Sequence, residues 1–463
     1  MGIYNALFTG SSGLTAFGEA VRVIGDNIAN VNSLGFKSQY VNFADVLGQT
    51  VNVTRSNIAN QVGNGVRIGA ITRDQSQGSV QSTTNATDMA INGTGLFVVK
   101  DPASGRTQYT RAGAFLLDSG SNLINGQGFQ VQGWALDTNG NAIGNVTSIT
   151  AANIAATAQA TAKVDVGTNL DATSAGFDPA VTAFNPANPA TYNYKSDVTA
   201  FDSLGSVHNV SLYFVKTGAD AAGNAVWDWH ATVDGAELTG GTAGTPTEIS
   251  PAGIGASTPS SIATGVTTPG SQSLVFNPAD GALLTETAPN ITIPWSNASA
   301  GSISFNFGSA KTTDAQGVTG TGKDGTLQLA GANATRFMKA DGFASGFLDH
   351  METDSTGRIN GVFTNGQRRP LYQVALAKFP NEAVLSKLGN NQMGETIASG
   401  TPVLEKPGNA GMGSIAPFAL EQSNVDLANE FVKLIVIQRG YEANSKTILT
   451  TDQMLSSLMT LKR

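Results

Sequence analysis

Between Ile3 and Val31 the apolar positions fall at alternating steps of four and three. Ile3, Leu7, Gly10, Leu14, Phe17, Val21, Ile24, Ile28 and Val31 form the series, and only Gly10 lacks an apolar side chain. This spacing predicts a helix with a heptad seam over about four heptads, about 43 Å long at ~1.5 Å per residue. Its remaining faces are Ser, Thr, Gly, Ala and Asn, with only Glu19, Arg22 and Asp26 charged. A two-stranded coiled coil would carry Glu and Lys beside its seam, so small uncharged flanks suit a helix surrounded by other helices. The pattern ends in DNIANVNSLGFKS (residues 26–38), rich in asparagine, a poor helix former and a good turn residue.

A second helical pattern closes the chain. Ser423 and Asp426 stand at capping-box spacing, and Leu427, Leu434, Tyr441, Ile448 and Leu455 then recur every seven residues. Phe431 and Met459 lie on the adjoining seam, where Gln438, Ser445 and Asp452 are polar. Helical heptads at both termini predict that the two ends pair, with Leu7, Leu14, Phe17, Val21, Ile24, Ile28, Leu427, Phe431, Leu434, Tyr441, Ile448 and Leu455 carrying assembly.

Between the helices the period becomes two. Runs such as GLFVVKD, QYTRAGAFLLD and GFQVQGWALD, and later GFLDHMETDSTGRINGVF, alternate with the turn signals Asp118-Ser-Gly, Asp137-Thr-Asn-Gly140, Asp354-Ser-Thr-Gly357 and Thr364-Asn-Gly366. The expected fold class is mainly β with α-helical termini: a discontinuous β domain carrying an inserted β domain, and terminal helices pairing in a coiled-coil-like bundle. The expected divisions are 1–37 with 420–463 (helical), 38–80 (extended connector), 81–150 with 331–419 (discontinuous β domain) and 151–330 (inserted domain). Strands are expected in the inserted segment at NYKSDVTAFD, VHNVSLYFVK, AVWDWHATVD, QSLVFN and GSISFNFG.

Composition narrows the function. Charged residues are 13% of 463, the formal net charge is −8, and no cluster of Lys and Arg interleaves with aromatics, which disfavours nucleic-acid binding. There is no cysteine, so disulfides, thiolate catalysis and cysteine-based cross-links or metal sites are excluded. No basic, then apolar leader pattern opens the chain, and no apolar run approaches the ~18 residues of a membrane span. Export without a cleaved signal, or a cytoplasmic location, is expected.

No catalytic constellation emerges. His208, His230 and His350 stand apart in sequence from carboxylate clusters, and each reads as a surface or strand residue. In Trp227-Asp-Trp229-His230 the tryptophans share one strand face, a packing signal. The stretch Gly317 to Lys323 has phosphate-loop spacing, but Asp324 replaces the required Ser or Thr and no helix-forming segment follows. Asp354-Ser-Thr-Gly357 has too few carboxylates for a calcium loop. No catalytic, cofactor-binding or metal-ligating residue is therefore proposed, and neither a small-molecule substrate nor membrane insertion is expected.

The two termini together resemble the axial proteins of the bacterial flagellum: rod, hook and hook-associated subunits. That family's amino-terminal motif, NIANVNTxGYK, stands here as Asn27-Ile28-Ala29-Asn30-Val31-Asn32-Ser33-Leu34-Gly35-Phe36-Lys37, with Ser33 and Phe36 as mild substitutions. Its carboxy-terminal motif matches at Asn424-Val-Asp-Leu427, Glu430-Phe431 and Gln438-Arg439-Gly-Tyr441-Glu442-Ala443-Asn444. These motifs cover about seventy residues, and the length and large inserted segment resemble the hook class of the family. The resemblance implies a non-enzymatic subunit of a hollow, curved, flexible polymer that joins rod to filament and transmits torque. It places terminal helices inside, the discontinuous β domain in a middle layer and the inserted domain outermost. It also implies as partners further copies of the chain, the distal rod protein, the hook cap, the hook–filament junction protein and the flagellar type III export apparatus. The competing readings are a distal rod protein with an enlarged outer domain and, from another class, a secreted β-rich hydrolase or carbohydrate-binding protein. The last would need a paired-carboxylate cleft that no spacing here proposes.

Overall fold

The computed structural model describes residues 2–53, 59–152, 154–251, 253–254, 258–263, 265–312, 317 and 319–461. The side chains of Ile3 and of residues 49–53 and 59–62, and Val318 in the glycine-rich stretch, lie outside the described residues. Helix α1 spans Gly2–Ala29 and helix α2 spans Leu427–Leu461. The described residues between them form strands and three short 3-10 turns. The chain divides into two compact units, one of Met1–Ile154, Leu348–Val362 and Arg368–Arg463, the other of Ala155–Phe347 and Phe363–Gln367.

In the first unit, early and late segments share one sheet. Strand Gln130–Leu136 lies between Arg368–Val374 (Gly133 opposite Val374) and Leu96–Lys100 (Val131 opposite Val99). The ladder continues through Thr107–Thr110 to Gln392–Gly394 and Ser386–Gly389. Its faces bury two apolar clusters, one around Met89, Phe97, Phe115 and Leu376, the other around Tyr109, Ala377 and Phe379. Two short pairings close the unit, Met89–Asn92 with Ser414–Pro417 and Val80–Ser82 with Ala419–Glu421. The second pairing delivers Glu421 opposite Val80, just before α2.

Residues 38–80, expected as an extended connector, contain antiparallel pairs. Strand Gln39–Asp45 pairs with Val66–Arg73, and Gln49–Val53 with Ala59–Val62. The first pair lies along α1: Phe43 meets Phe17 with ring centroids 5.5 Å apart, and Ser12 Oγ accepts from Val66 N at 3.2 Å. Opposite Asn42 and Phe43 the register skips Gly69, and this bulge breaks the alternation of strand Val66–Arg73, which hid the pair from a period-two reading.

The second unit packs a seven-stranded sheet and a five-stranded sheet, counted among the described residues, around one aromatic core. All five strands expected in this segment are present. Trp227 and Trp229 are fully buried on one face of strand Ala225–Asp234, and Trp229 packs against Phe305 and Phe307. The unit extends beyond the expected boundary at 330. Strand Ala334–Ala340 runs antiparallel to Lys163–Asp171, with Val164 opposite Ala340, a long-range pairing that local pattern does not reveal.

One hairpin turn recurs at 118–122, 137–141, 202–206, 220–224 and 354–358. In each, the aspartate backbone closes the loop in both directions, and its Oδ1 accepts from the backbone N–H four residues on. The fourth residue takes the left-handed conformation: Gly140, Gly205, Gly223 and Gly357 lie at φ +73 to +86, but Ser121 stands there at φ 59. A Cβ is unfavourable in this conformation by roughly 1–2 kcal/mol, partly offset in glycine by chain entropy. We predict that Ser121→Gly stabilises the chain by about 0.5–1 kcal/mol, read as a raised denaturation midpoint, whereas Gly140→Ser lowers it.

Candidate assembly site

The helices α1 and α2 pack antiparallel through small residues. A Cβ on Gly10 would lie 2.9 Å from Ile448 Cγ1, one on Gly13 would lie 2.7 Å from Asn444 Oδ1, and one on Gly440 would lie 3.0 Å from the Phe17 ring. On α1 the buried stripe is Gly10, Gly13, Ala16, Ala20, Val23, Ile24 and Asn27. Of the expected seam only Ile24 is fully buried; Leu7, Leu14, Phe17, Val21 and Ile28 are half-buried on its flanks. The reason is close approach. Small side chains let the backbones meet, and the larger ones spread sideways toward α2 and the strand pair beside α1.

The expected register on α2 is likewise corrected by one position. Leu434, Ile448 and Leu455 are half-buried, but Leu427, Phe431 and Tyr441 are exposed. The adjoining inner line runs through Glu430 and Thr451, which are buried, and Ile437 and Asn444, which are half-buried, and not through Phe431 and Met459. Along α2 the larger apolar residues face outward: Phe431, Val432, Ile435, Val436, Leu449, Met454 and Met459 are each at least half exposed. On α1, Tyr4 and Phe8 are exposed as well. The α2 cap also differs from expectation. Asp426 Oδ1 accepts from Ala428 N at 2.9 Å, so Asp426 is the N-cap and Ser423 lies outside the helix.

Where α1 ends, three segments converge: residues 34–38, 74–78 and 421–424. Asn30 Nδ2 turns back onto Asp26 O at 2.9 Å, and Ser33 N donates to Asn30 O. Gly35 then adopts φ +66, and its N–H donates to Glu421 O at 2.8 Å. A Cβ there would stand 2.8 Å from the backbone at Arg111 and Ala112, so glycine is required for both conformation and space. Asn27 is fully buried and acts as a backbone mimic. Its Oδ1 accepts from Gln39 N at 2.9 Å, while Nδ2 donates to Gln39 O at 2.7 Å and Glu430 Oε2 at 3.0 Å. Asn424 serves the other side, with Oδ1 accepting from Ser38 N at 2.7 Å.

At the centre lies Glu421. Oε1 accepts from Lys37 Nζ at 2.6 Å and Gly78 N at 3.0 Å, and Oε2 accepts from Arg111 Nε. Arg111 also donates to the carbonyls of Ile91, Gly93 and Gly95. All three charged side chains are buried. Burial alone would raise the Glu421 pKa, but Arg111 and Lys37 together hold it below the ordinary value of 4.5. Lys37 is lowered, because burial outweighs its single carboxylate partner. The asymmetry follows from partner number: the carboxylate has two cations and an N–H, while the ammonium has one carboxylate and the Ser76 carbonyl.

Other motif residues divide by exposure. Phe36 is buried and Lys387 Nζ lies 5.4 Å from its ring centre, whereas Ala29 and Asn32 are exposed. Gln438, Arg439, Tyr441, Glu442 and Ala443 also face away from α1, while Asn444 Nδ2 donates to Gly440 O at 2.9 Å. Sequence reading did not single out Arg73, Arg111 or Glu421. The available hint is scarcity, since a buried charge stands out in a chain with so few. The histidines lie in strands, and the fold gives two of them carboxylate partners. His208 lies between Glu237 (2.9 Å) and Asp202 (3.3 Å) and stacks on Trp295, and His230 meets Glu248 at 2.6 Å. Turns and neighbouring strands bring these carboxylates in, which sequence spacing cannot show. Among the described residues there is no group of three or more His, Asp or Glu able to hold a metal, and no helix long and apolar enough to cross a membrane.

A β body with paired terminal helices, whose α2 exposes apolar residues, is the architecture that the resemblance to the flagellar axial proteins implies. Four family descriptions match: flagella basal body rod protein over residues 7–37, flagellar hook protein FlgE/F/G D1 domain over 90–169, flagellar basal body protein FlaE D2 domain over 169–343, and flagellar basal body rod FlgEFG protein C-terminal over 417–461. The flagellar hook protein FlgE of Borreliella burgdorferi is 33% identical over 99% of both chains. That of Escherichia coli is 33% identical over 97% of this chain and 98% of its own. A crystal structure of Helicobacter pylori flagellar hook protein FlgE2 aligns with 74% of this chain and all of its own at 12% identity and a TM-score of 0.48, too loosely to bear on the argument. The chain belongs to the flagellar hook protein family, a family of structural proteins, and is a hook subunit rather than a rod subunit.

Two outcomes test the junction. Glu421→Gln leaves two buried cations without their carboxylate and is expected to cost about 3–5 kcal/mol in denaturant unfolding. Because the folded-state pKa of Glu421 is depressed, its contribution is complete above pH 4.5 and lost as pH falls through the lower folded value. The stability gap between wild type and Glu421→Gln should therefore narrow on acidification. Gly35→Val is expected to impair polymer formation in a pelleting assay while the tryptophan fluorescence of the second unit is unchanged.

Proposed function

We propose that the chain polymerises through its terminal helices into the hollow, curved tube of the hook, which joins rod to filament and transmits torque as a flexible joint. The outward apolar face of α2 carries this reading. An exposed apolar cluster such as Phe431, Val432, Ile435 and Val436 on a helix calls for a partner surface, and further copies of the chain supply it. One narrow face of α2 is covered by α1, so the pair alone buries too little to offset the ordering of two long helices. The termini of a free monomer are accordingly disordered and fold as neighbours cover them. Export runs through the flagellar type III apparatus, and the polymer's ends meet the distal rod protein, the hook cap and the hook–filament junction protein, as the resemblance implies. Weakly charged outer surfaces suit contacts that slide during bending.

The test is polymerisation of purified full-length chain. Electron microscopy should show curved tubes, and circular dichroism should show more helix in polymer than in monomer. Val432→Asp with Val436→Asp should raise the critical concentration at least about tenfold, since each buries a charge against an apolar neighbour. Equal helicity in monomer and polymer, or unaltered assembly of the double variant, would remove the reading.

A further inference from the structure

Beside the junction, where α1 ends, lies a cleft of about 230 Å³ lined by Lys37, Arg73 and Lys387 with a single carboxylate, Asp26. Lys37 is already matched by Glu421, and Lys387 lies 3.5 Å from Asp26. Arg73 is different. Its side chain is buried, yet its guanidinium approaches the sulfur of Met393 at 3.0 Å and the carbonyl of Leu385 at 3.5 Å. Among the described residues no carboxylate lies within 4 Å of it. Burial lowers its pKa and Glu382 only partly opposes this, so the cation is under-compensated. An arginine with spare donors in a positive cleft has the geometry for a carboxylate.

We propose that this cleft receives a carboxylate side chain of a neighbouring copy, completing an ion pair with Arg73 and Lys387 that forms only in the polymer. The inference rests on the polymer reading above. Charge supports it: the chain has 34 acidic against 26 basic residues, and exposed carboxylates such as Glu442 and Asp452 have no cation within 4 Å among the described residues. Position supports it too. Asp26 and Asn30 of α1 line the cleft, so a copy packed on the helix pair passes its edge.

Polymers assembled from equal parts of unlabelled and ¹⁵N-labelled full-length chain are treated with a carbodiimide, which joins an amine to a carboxylate only in contact. Mass spectrometry should find Lys387 linked to a carboxylate in mixed-isotope peptides, in addition to Asp26 of its own chain. Arg73→Gln should raise the critical concentration about tenfold, and Lys387→Gln should raise it less. The exposed Lys387 variant keeps the test decisive if Arg73→Gln fails to fold, which monomer unfolding reveals. Wild-type polymer in which Lys387 links to Asp26 alone, or Lys387→Gln assembling at the wild-type concentration, would overturn the proposal. Phosphate binding to the cleft in the polymer without mixed-isotope links would also overturn it, assigning the cleft to a free anion. Failure of the wild type to polymerise would instead remove the function proposed above.

Discussion

Everything at the base of the first unit depends on one buried carboxylate. Glu421 draws together Lys37 from the exit of α1, Arg111 from the β body and Gly78 from the strand pair's return, while its own carbonyl receives Gly35. A buried charge is costly alone and favourable only when its partners are fixed, so the cluster acts as a lock. Either all segments are in place, or charges are stranded in an apolar surround. Sparse charge elsewhere strengthens this specificity, because few alternative partners compete. The direction in which the chain leaves the helix is thereby set by electrostatics and one left-handed glycine.

The helix pair follows the opposite logic to a coiled coil. Small residues and buried polar groups occupy its internal face, with Asn27 and Glu430 hydrogen-bonded across it. Larger apolar groups stand on the outside of α2. As an isolated hairpin this is a poor design, since close backbone approach buries little apolar area. In the polymer proposed above it is economical: the internal contact sets register through glycine and asparagine, and the exposed apolar side chains of α2 are left for contacts between copies.

That inversion also explains what could be read in advance. The existence of both helices, the β body and the strands of the second unit were legible because each follows a local period. The helix register was not, because the heptad rule assumes that the largest apolar residues face the intramolecular partner. In α2 the rule picked Phe431 where the chain buries Glu430. The boundary at 330 and the strand pair after α1 were missed because both rest on distant pairing, one with residues 163–171 and one interrupted by a bulge. At the junction, Asn27 and Gly35 were visible within a motif. Arg73, Arg111 and Glu421 carry no local signature, and only the fold brings them to the α1 exit.

The second unit takes no part in this lock. Its core is a separate aromatic cluster around Trp227, Trp229, Phe305 and Phe307, and its charged contacts, such as His208 with Asp202 and Glu237, are satisfied internally. The junction residues and both terminal helices belong to the first unit. The physical consequence is separability: the second core can change in size or surface without altering the charges that set the α1 exit. The two cores therefore rest on different contacts and answer to different forces.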